Sequence, residues 1–194
     1  MRLYGTLYAA VYFLMIIVAF ILPGFSSEGY SIIQNSMGEL GAQATPGNWI
    51  MNVVFILLSI VTVLLGTKVL RQFWVPLYLL YFFAISLFFT AIFKHSPITN
   101  PIFLEGEHLA HSVFSMITGT AFSGYCIAVA FMIKRPVGKA SAIFMLCIAV
   151  GLSLLILELP EYKGIFQRVL FITAFGWLFY SLVTFKYENT FKKT

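Results

Sequence analysis

The sequence predicts an all-α fold, a polytopic transmembrane helical bundle of six spans that forms one domain over 1–194. Three observations predict it. The chain is 60% hydrophobic and 10% charged, whereas a soluble domain carries about 25% charged residues. Six apolar stretches approach the roughly 20 residues that a helix needs to cross a bilayer. Lysine and arginine gather at one set of span ends, as they do in cytoplasmic loops.

Span one, about 7–23, follows Arg2 and ends at Pro23. It resembles a secretion signal, but its apolar core is long and no small-x-small cleavage site follows, so it reads as a retained helix. Span two, about 49–70, opens at Trp49, and span three, about 75–93, follows Trp74. The two tryptophans suit opposite membrane interfaces. Spans four and five, about 109–133 and 140–159, contain Cys126 and Cys147. Both read as small buried apolar residues, and the absence of CxxC argues against cysteine redox or zinc chemistry. Span six, about 165–185, carries Arg168 one turn in.

Six spans place both termini on one side, with the short turns after spans two and four. That side holds Arg2, Lys68, Arg71, Lys134, Arg135, Lys139, Lys186, Lys192 and Lys193, against Lys94, Lys163 and Arg168 on the other. The N and C termini are therefore expected in the cytoplasm and the polar site on the extracytoplasmic face of a multi-pass cell-membrane protein. The net charge of +5 then reflects topology and contact with membrane lipids, the expected partners. No basic patch is interleaved with aromatics, so nucleic acid is not an expected partner.

The outer connections are the informative ones. In the 24–48 loop, helical spacing puts Ile33, Met37 and Leu40 on one face and Asn35, Ser36, Glu39 and Gln43 on another. Gly38 and Gly41 weaken that short amphipathic helix. It either lies on the membrane surface or tucks its Ser36/Glu39 face into the bundle mouth as a lid.

All three histidines share this outer side with six of the seven acids. Glu107, His108, His111, Ser112, Ser115 and Thr118 fall within an arc of roughly 140° on span four. In lipid such a stripe must face other helices or a watery cavity. His108 and His111, at i and i+3, are close enough to share a metal, and His95 and Glu39 could complete a zinc site. HxxH lacks the built-in base of HExxH, so the pattern alone is weak. A metal-free variant uses Ser36 or Ser112 as nucleophile, a histidine as base, and Glu39 or Glu107 to orient it. No GxSxG or SxxK motif supports that variant. Arg168 needs a partner, Glu158, Glu161 or a span-four carboxylate, or else serves as an anion clamp. Asn48 and Asn52 either line the same cavity or bond between helices.

Ser36-Met37-Gly38-Glu39-Leu40-Gly41, then Trp49 and Asn52, a histidine-opened span four and Phe166-Gln167-Arg168 together resemble domain-of-unknown-function family 998. That resemblance implies six helices over nearly the whole chain, with Ser36, Glu39, His108 or His111, and Arg168 as outer polar positions. It implies no activity. The acid expected after span three is replaced by Lys94-His95-Ser96-Pro97. A looser likeness is to intramembrane hydrolases such as alkaline ceramidases and adiponectin-type receptors, which hold zinc with three histidines, a serine and an acid. Six spans and HxxH, in place of seven and HxxxH, set this chain apart.

The resulting expectation is a metal-assisted hydrolase acting on a lipid or amphiphile. A divalent metal such as zinc on His108, His111 and His95 would lower the pKa of bound water. Ser36, Glu39, Glu107 and Ser112 are the catalytic candidates, with Arg168 and Asn52 on the substrate. The alternative is a non-catalytic lipid or small-molecule binder, or a transporter. Polar residues thin out toward the cytoplasm, which weakens the transporter form. Haem electron transfer is a minor option, since no histidine lies on the inner side.

Overall fold

A computed structural model describes residues 2–184, and all regular elements within them are helical. Helix α1, Arg2–Ile21, ends in a 3-10 turn, Leu22–Phe25, built around Pro23. The short α2, Met37–Leu40, precedes the long helices α3, Asn48–Leu70, and α4, Trp74–Ile92. Then come α5, Glu105–Met132, α6, Pro136–Glu158, and α7, Lys163–Thr184. Phe185, the expected last residue of span six, lies outside the described residues, as do Lys186, Lys192 and Lys193.

Six of these helices are long and apolar enough to cross a membrane, which makes this a multi-pass membrane protein. Apolar residues surround them on all sides, so lipid is their solvent. Helix α1 starts at Arg2, five residues before the expected span, and two further starts move for a local reason. Helix α5 starts at Glu105, four residues early, because the acidic residues of Glu105-Gly106-Glu107 suit a helix N-terminus. At about 42 Å it exceeds the ~30 Å hydrocarbon core, so its first turns can stand clear of acyl chains. Helix α6 starts at Pro136, a residue pre-set for the first helical turn.

Each long helix packs on the next in chain order, and α7 returns to α1. Small residues set the closest approaches. A Cβ on Gly66 would lie 2.2 Å from Leu80 Cδ2, so the glycine of α3 makes room for the buried Leu80 side chain of α4. Hydroxyls tie the remaining contacts to backbone. Tyr8 and Tyr12 of α1 donate to Phe175 O at 3.2 Å and Ile172 O at 3.0 Å on α7. Ser59 donates to Ala84 O at 2.6 Å, joining α3 to α4. Helix α6 is peripheral, and Cys147 on it is exposed rather than buried as expected; Cys126 is buried, and both are free.

Candidate functional site

The 24–48 loop folds under the histidine end of the bundle instead of lying on its surface. Only one helical turn survives of the expected amphipathic helix, and Met37 and Leu40 are completely buried. Ser36 caps that turn: its Oγ accepts from Glu39 N at 3.2 Å, and the Glu39 carboxylate accepts from Ser36 N at 2.6 Å. This reciprocal capping box satisfies two otherwise orphaned donors. Glu39 is 6% exposed, takes Asn35 Nδ2 at 3.1 Å, and pairs with Lys163 Nζ at 3.1 Å.

Arg168 anchors the same loop. Its guanidinium is 2% exposed and donates to the carbonyls of Ala19, Ile32, Asn35 and Gly164 at 3.0–3.2 Å, and to Tyr30 Oη at 2.7 Å. The expected carboxylate partner is therefore corrected. Backbone carbonyls supply the negative charge density, because the loop wraps the start of α7 more closely than any acid side chain does. Asn52 and Asn48 work likewise, donating to Gly41 O at 3.1 Å and Ala42 O at 2.9 Å. They hold loop to helix, not helix to helix.

The three imidazoles come together. His95, on the α4–α5 connection, lies edge-to-face against both His108 and His111, at ring-centroid distances of 4.6 and 5.3 Å. His111 Nδ1 donates to Thr90 O at 2.8 Å and Phe93 O at 2.9 Å, and His95 Nδ1 to Ser96 O at 2.8 Å. These bonds place the lone pair of each neutral ring on Nε2. His108 differs, accepting the Ser96 N–H on Nδ1 at 3.2 Å. Among the described residues, no three His, Cys, Asp or Glu side chains are arranged to hold one metal ion. Ser112 donates its hydroxyl to His108 O at 3.0 Å within its own helix, and Glu107 is half-buried above the cluster. A Cβ on Gly38 would stand 3.1 Å from His111 Nε2 and 3.6 Å from Ser36 Oγ, so the lid closes directly over that ring.

Next to the cluster, a cleft of about 560 Å³ runs between α5, α6 and α7 with α4 behind it. Its lining comes from the middle of α5, Ser115 to Ser123, and from the histidine-end stretches Ala149 to Leu157 of α6 and Gln167 to Phe175 of α7. Each stretch rises about 12 Å. Met116, Leu154 and Leu157 on its rim are 74%, 56% and 76% exposed, so one side opens toward lipid. Toward the opposite end, the lining residue Phe122 packs on Trp177, which also packs on Tyr125 and donates to Ser141 Oγ at 3.1 Å. Two residues tie the cleft to its surroundings, one to the cluster and one to the loop. Thr90 lines the cleft while its carbonyl holds His111, and Gln167 lines it while accepting the Met37 N–H.

A family model described as a protein of unknown function, DUF998, matches residues 8–184. The chain belongs to the DUF998 family. No curated protein and no solved structure matches it.

Some residues that organise this DUF998 site carry no motif of their own. Gln43 clamps the two long connections, with Nε2 on Lys94 O and Leu104 O, Oε1 on Leu104 N and its own N–H on His95 O. Lys163 and Tyr30 act across more than 100 residues of sequence, where no local pattern announces them, and Gln167, quoted only within Phe166-Gln167-Arg168, does the same. Ser36-x-x-Glu39 matches a capping-box signature, although in sequence the two residues read as a nucleophile and an acid.

Electrostatics of the lid set a pH dependence. Burial pushes the Glu39 carboxyl up, but the Ser36 N–H, the Lys163 ammonium and the Asn35 amide outweigh it and hold the group below the usual carboxylate range. Burial drives the His95 imidazole below its ordinary value, the neighbouring His111 and His108 adding to it against Ser96 O and Glu39. Both folded values are lowered, so both groups stabilise the fold at neutral pH and lose that contribution on acidification. The His95 part fades below its ordinary value of about 6.5, and the Glu39 part at still lower pH. Thermal melts in detergent across that range are expected to show two successive losses. The first should vanish in His95→Asn and the second in Glu39→Gln; identical pH profiles in all three proteins would contradict the assignment.

Proposed function

We propose that this DUF998 protein binds single-chain amphiphiles that enter sideways from the bilayer, with the chain in the α5–α6–α7 cleft and the polar head at the histidine end. The cleft carries this reading. Its volume, about 560 Å³, falls within the 300–1,000 Å³ of ligand sites. Its walls are mainly apolar, and its rim is exposed where lipid would stand. The lining ends at Ser123 on α5 and Phe175 on α7, short of the ends of those helices, which favours binding over passage across the membrane. The split of basic residues supports an extracytoplasmic site.

Gly119 lines the cleft, and a Cβ there would meet nothing within 4 Å. A large side chain at this position fills the cleft without displacing neighbours. With protein in nanodiscs, Gly119→Trp is expected to weaken binding of a radiolabelled long-chain alkyl amphiphile by about tenfold or more, the loss of roughly two buried methylenes. Gly119→Ala should bind as the parent does. Equal binding by the parent and Gly119→Trp would remove the reading.

A hydrolytic form of the same reading has one observation in its favour. His95 and His111 each commit Nδ1 to carbonyl oxygen and leave Nε2 without a hydrogen bond, that of His111 lying under Gly38, and metal-binding histidines are oriented by such Nδ1 bonds. Metal analysis separates the two forms. Pure binding predicts unchanged amphiphile affinity after chelation. Stoichiometric zinc that disappears in His95→Ala/His111→Ala, together with turnover of an ester amphiphile, would move the function to hydrolysis.

A further inference from the structure

We infer that the head group taken at this site is a carboxylate, that of a single-chain fatty acid, with the Gln167 amide as its donor; the inference rests on the amphiphile-binding reading. Most hydroxyls of the lining are already spent. Thr90, Thr118, Thr120 and Ser123 each donate to a carbonyl one turn back in their own helix. Ser115, Ser153 and the Gln167 amide nitrogen make no hydrogen bond among the described residues. Gln167 is the discriminating one. Its Oε1 accepts the Met37 N–H, and a backbone N–H can only donate, so the amide is fixed in orientation. Nε2 then keeps its N–H donors uncommitted on a side chain that lines the cleft.

Position puts these donors at the head end. The lining starts at Ser115 on α5 and at Gln167 on α7, each its limit toward the histidines. Ser115 follows His111 by one turn, and the carbonyl of the lining residue Thr90 holds that ring. Ser153 lies deeper, about 6 Å below Leu157 along α6, beside the chain instead of the head. Charge decides which acceptor fits. Arg168 directly follows Gln167, is buried, and bonds to four carbonyls and the Tyr30 hydroxyl. Those dipoles solvate the guanidinium without cancelling its charge. The buried Glu39 is matched by Lys163, so the Arg168 charge stands over beside the Gln167 wall. No acid lines the cleft, and salt screens the exposed Glu158 and Glu161 far more than a buried charge. A carboxylate supplies strong acceptors to the amide and gains from that charge, whereas an ammonium finds neither there.

Hexadecanoate, its methyl ester and hexadecyltrimethylammonium, bound to the full chain in nanodiscs of uncharged lipid at a pH where the acid is ionised, test this. Charge-assisted hydrogen bonds are roughly twice as strong as neutral ones, so the parent is expected to hold the carboxylate about tenfold more tightly than the ester. That preference should persist at raised ionic strength, because buried charge is screened little. Gln167→Glu keeps an acceptor for the Met37 N–H but sets an anion against the head. It should weaken the carboxylate by about tenfold or more and tighten the ammonium. Ser115→Ala should weaken the carboxylate by about threefold. Ester or ammonium bound as tightly as carboxylate by the parent would overturn the head-group inference and leave the cleft reading standing. So would a preference that salt erases, or one unchanged in both variants. Where Gln167→Glu binds no probe at all, Ser115→Ala alone decides. If none of the three binds more tightly to the parent than to Gly119→Trp, the cleft reading falls and the inference with it.

Discussion

Replacing Arg168 with methionine is expected to free the 24–48 loop from the bundle and lower stability by on the order of 3–5 kcal/mol. The guanidinium contacts five oxygens from three separate parts of the chain: Ala19 on α1, Tyr30, Ile32 and Asn35 in the loop, and Gly164 on α7. Hydrogen bonds to a charged group contribute about 1.5–3 kcal/mol each, and buried acceptors left behind carry a desolvation cost. Some carbonyls at this end would regain water, which holds the total below the simple sum. Arg168→Lys keeps the charge but loses the fork geometry, so it should recover only part of the loss. The measurement is a detergent melt combined with protease sensitivity within residues 24–48. A variant with the parent's melting temperature and an intact loop, but weaker amphiphile binding, would instead return Arg168 to the role of anion clamp.

Gly164→Ala is expected to act on the same junction from the other side. An added Cβ would lie 2.4, 2.5 and 2.8 Å from the carbonyl oxygens of Ile32, Asn35 and Ile33. These are backbone atoms, so no rotamer change relieves the contact. The loop must retreat, and with it go the bonds from Gly164 N at 2.9 Å and Ile165 N at 3.3 Å to Ile33 O that cap α7. Overpacking of this kind costs about 1–3 kcal/mol, and the lost cap adds to it. Gly106→Ala makes the control, because it sits in the first turn of α5 with nothing within 4 Å of its Cβ. It should be neutral or stabilising by up to about 1 kcal/mol, from helix propensity alone. Equal melting temperatures for the two variants would show that the loop does not press on α7 as described.

How far the sequence could be read depended on the distance over which each feature is decided. The six spans and the gathering of histidines and acids at one end were legible, and so was the meeting of His95 with the span-four pair. Arg168 was legible as a residue in need of partners, but its partners were not. Carbonyl oxygens carry no sequence signature, and a loop segment near residue 32 reaches α7 only once α1 and α7 have packed. The polar stripe of α5 was read as a single face lining a polar cavity. In the folded chain it divides: His111 and Thr118 bond toward α4, while Ser115 lines a mainly apolar cleft beside α6 and α7.

By itself the sequence determined the solvent of this protein. Hydrophobic length is a property of consecutive residues, and about 20 of them either meet the thickness of a bilayer or do not. The Ser36–Glu39 turn is also local, since its two capping bonds close within four residues, although in sequence those side chains read as nucleophile and acid. Tertiary structure alone decided that Glu39 would take Lys163, that Thr90 and Gln167 would join cap to cleft, and that a hollow would remain between α5 and α7. Each of these depends on where helices distant in sequence stop against one another, and that is set by side-chain volumes summed across the whole bundle.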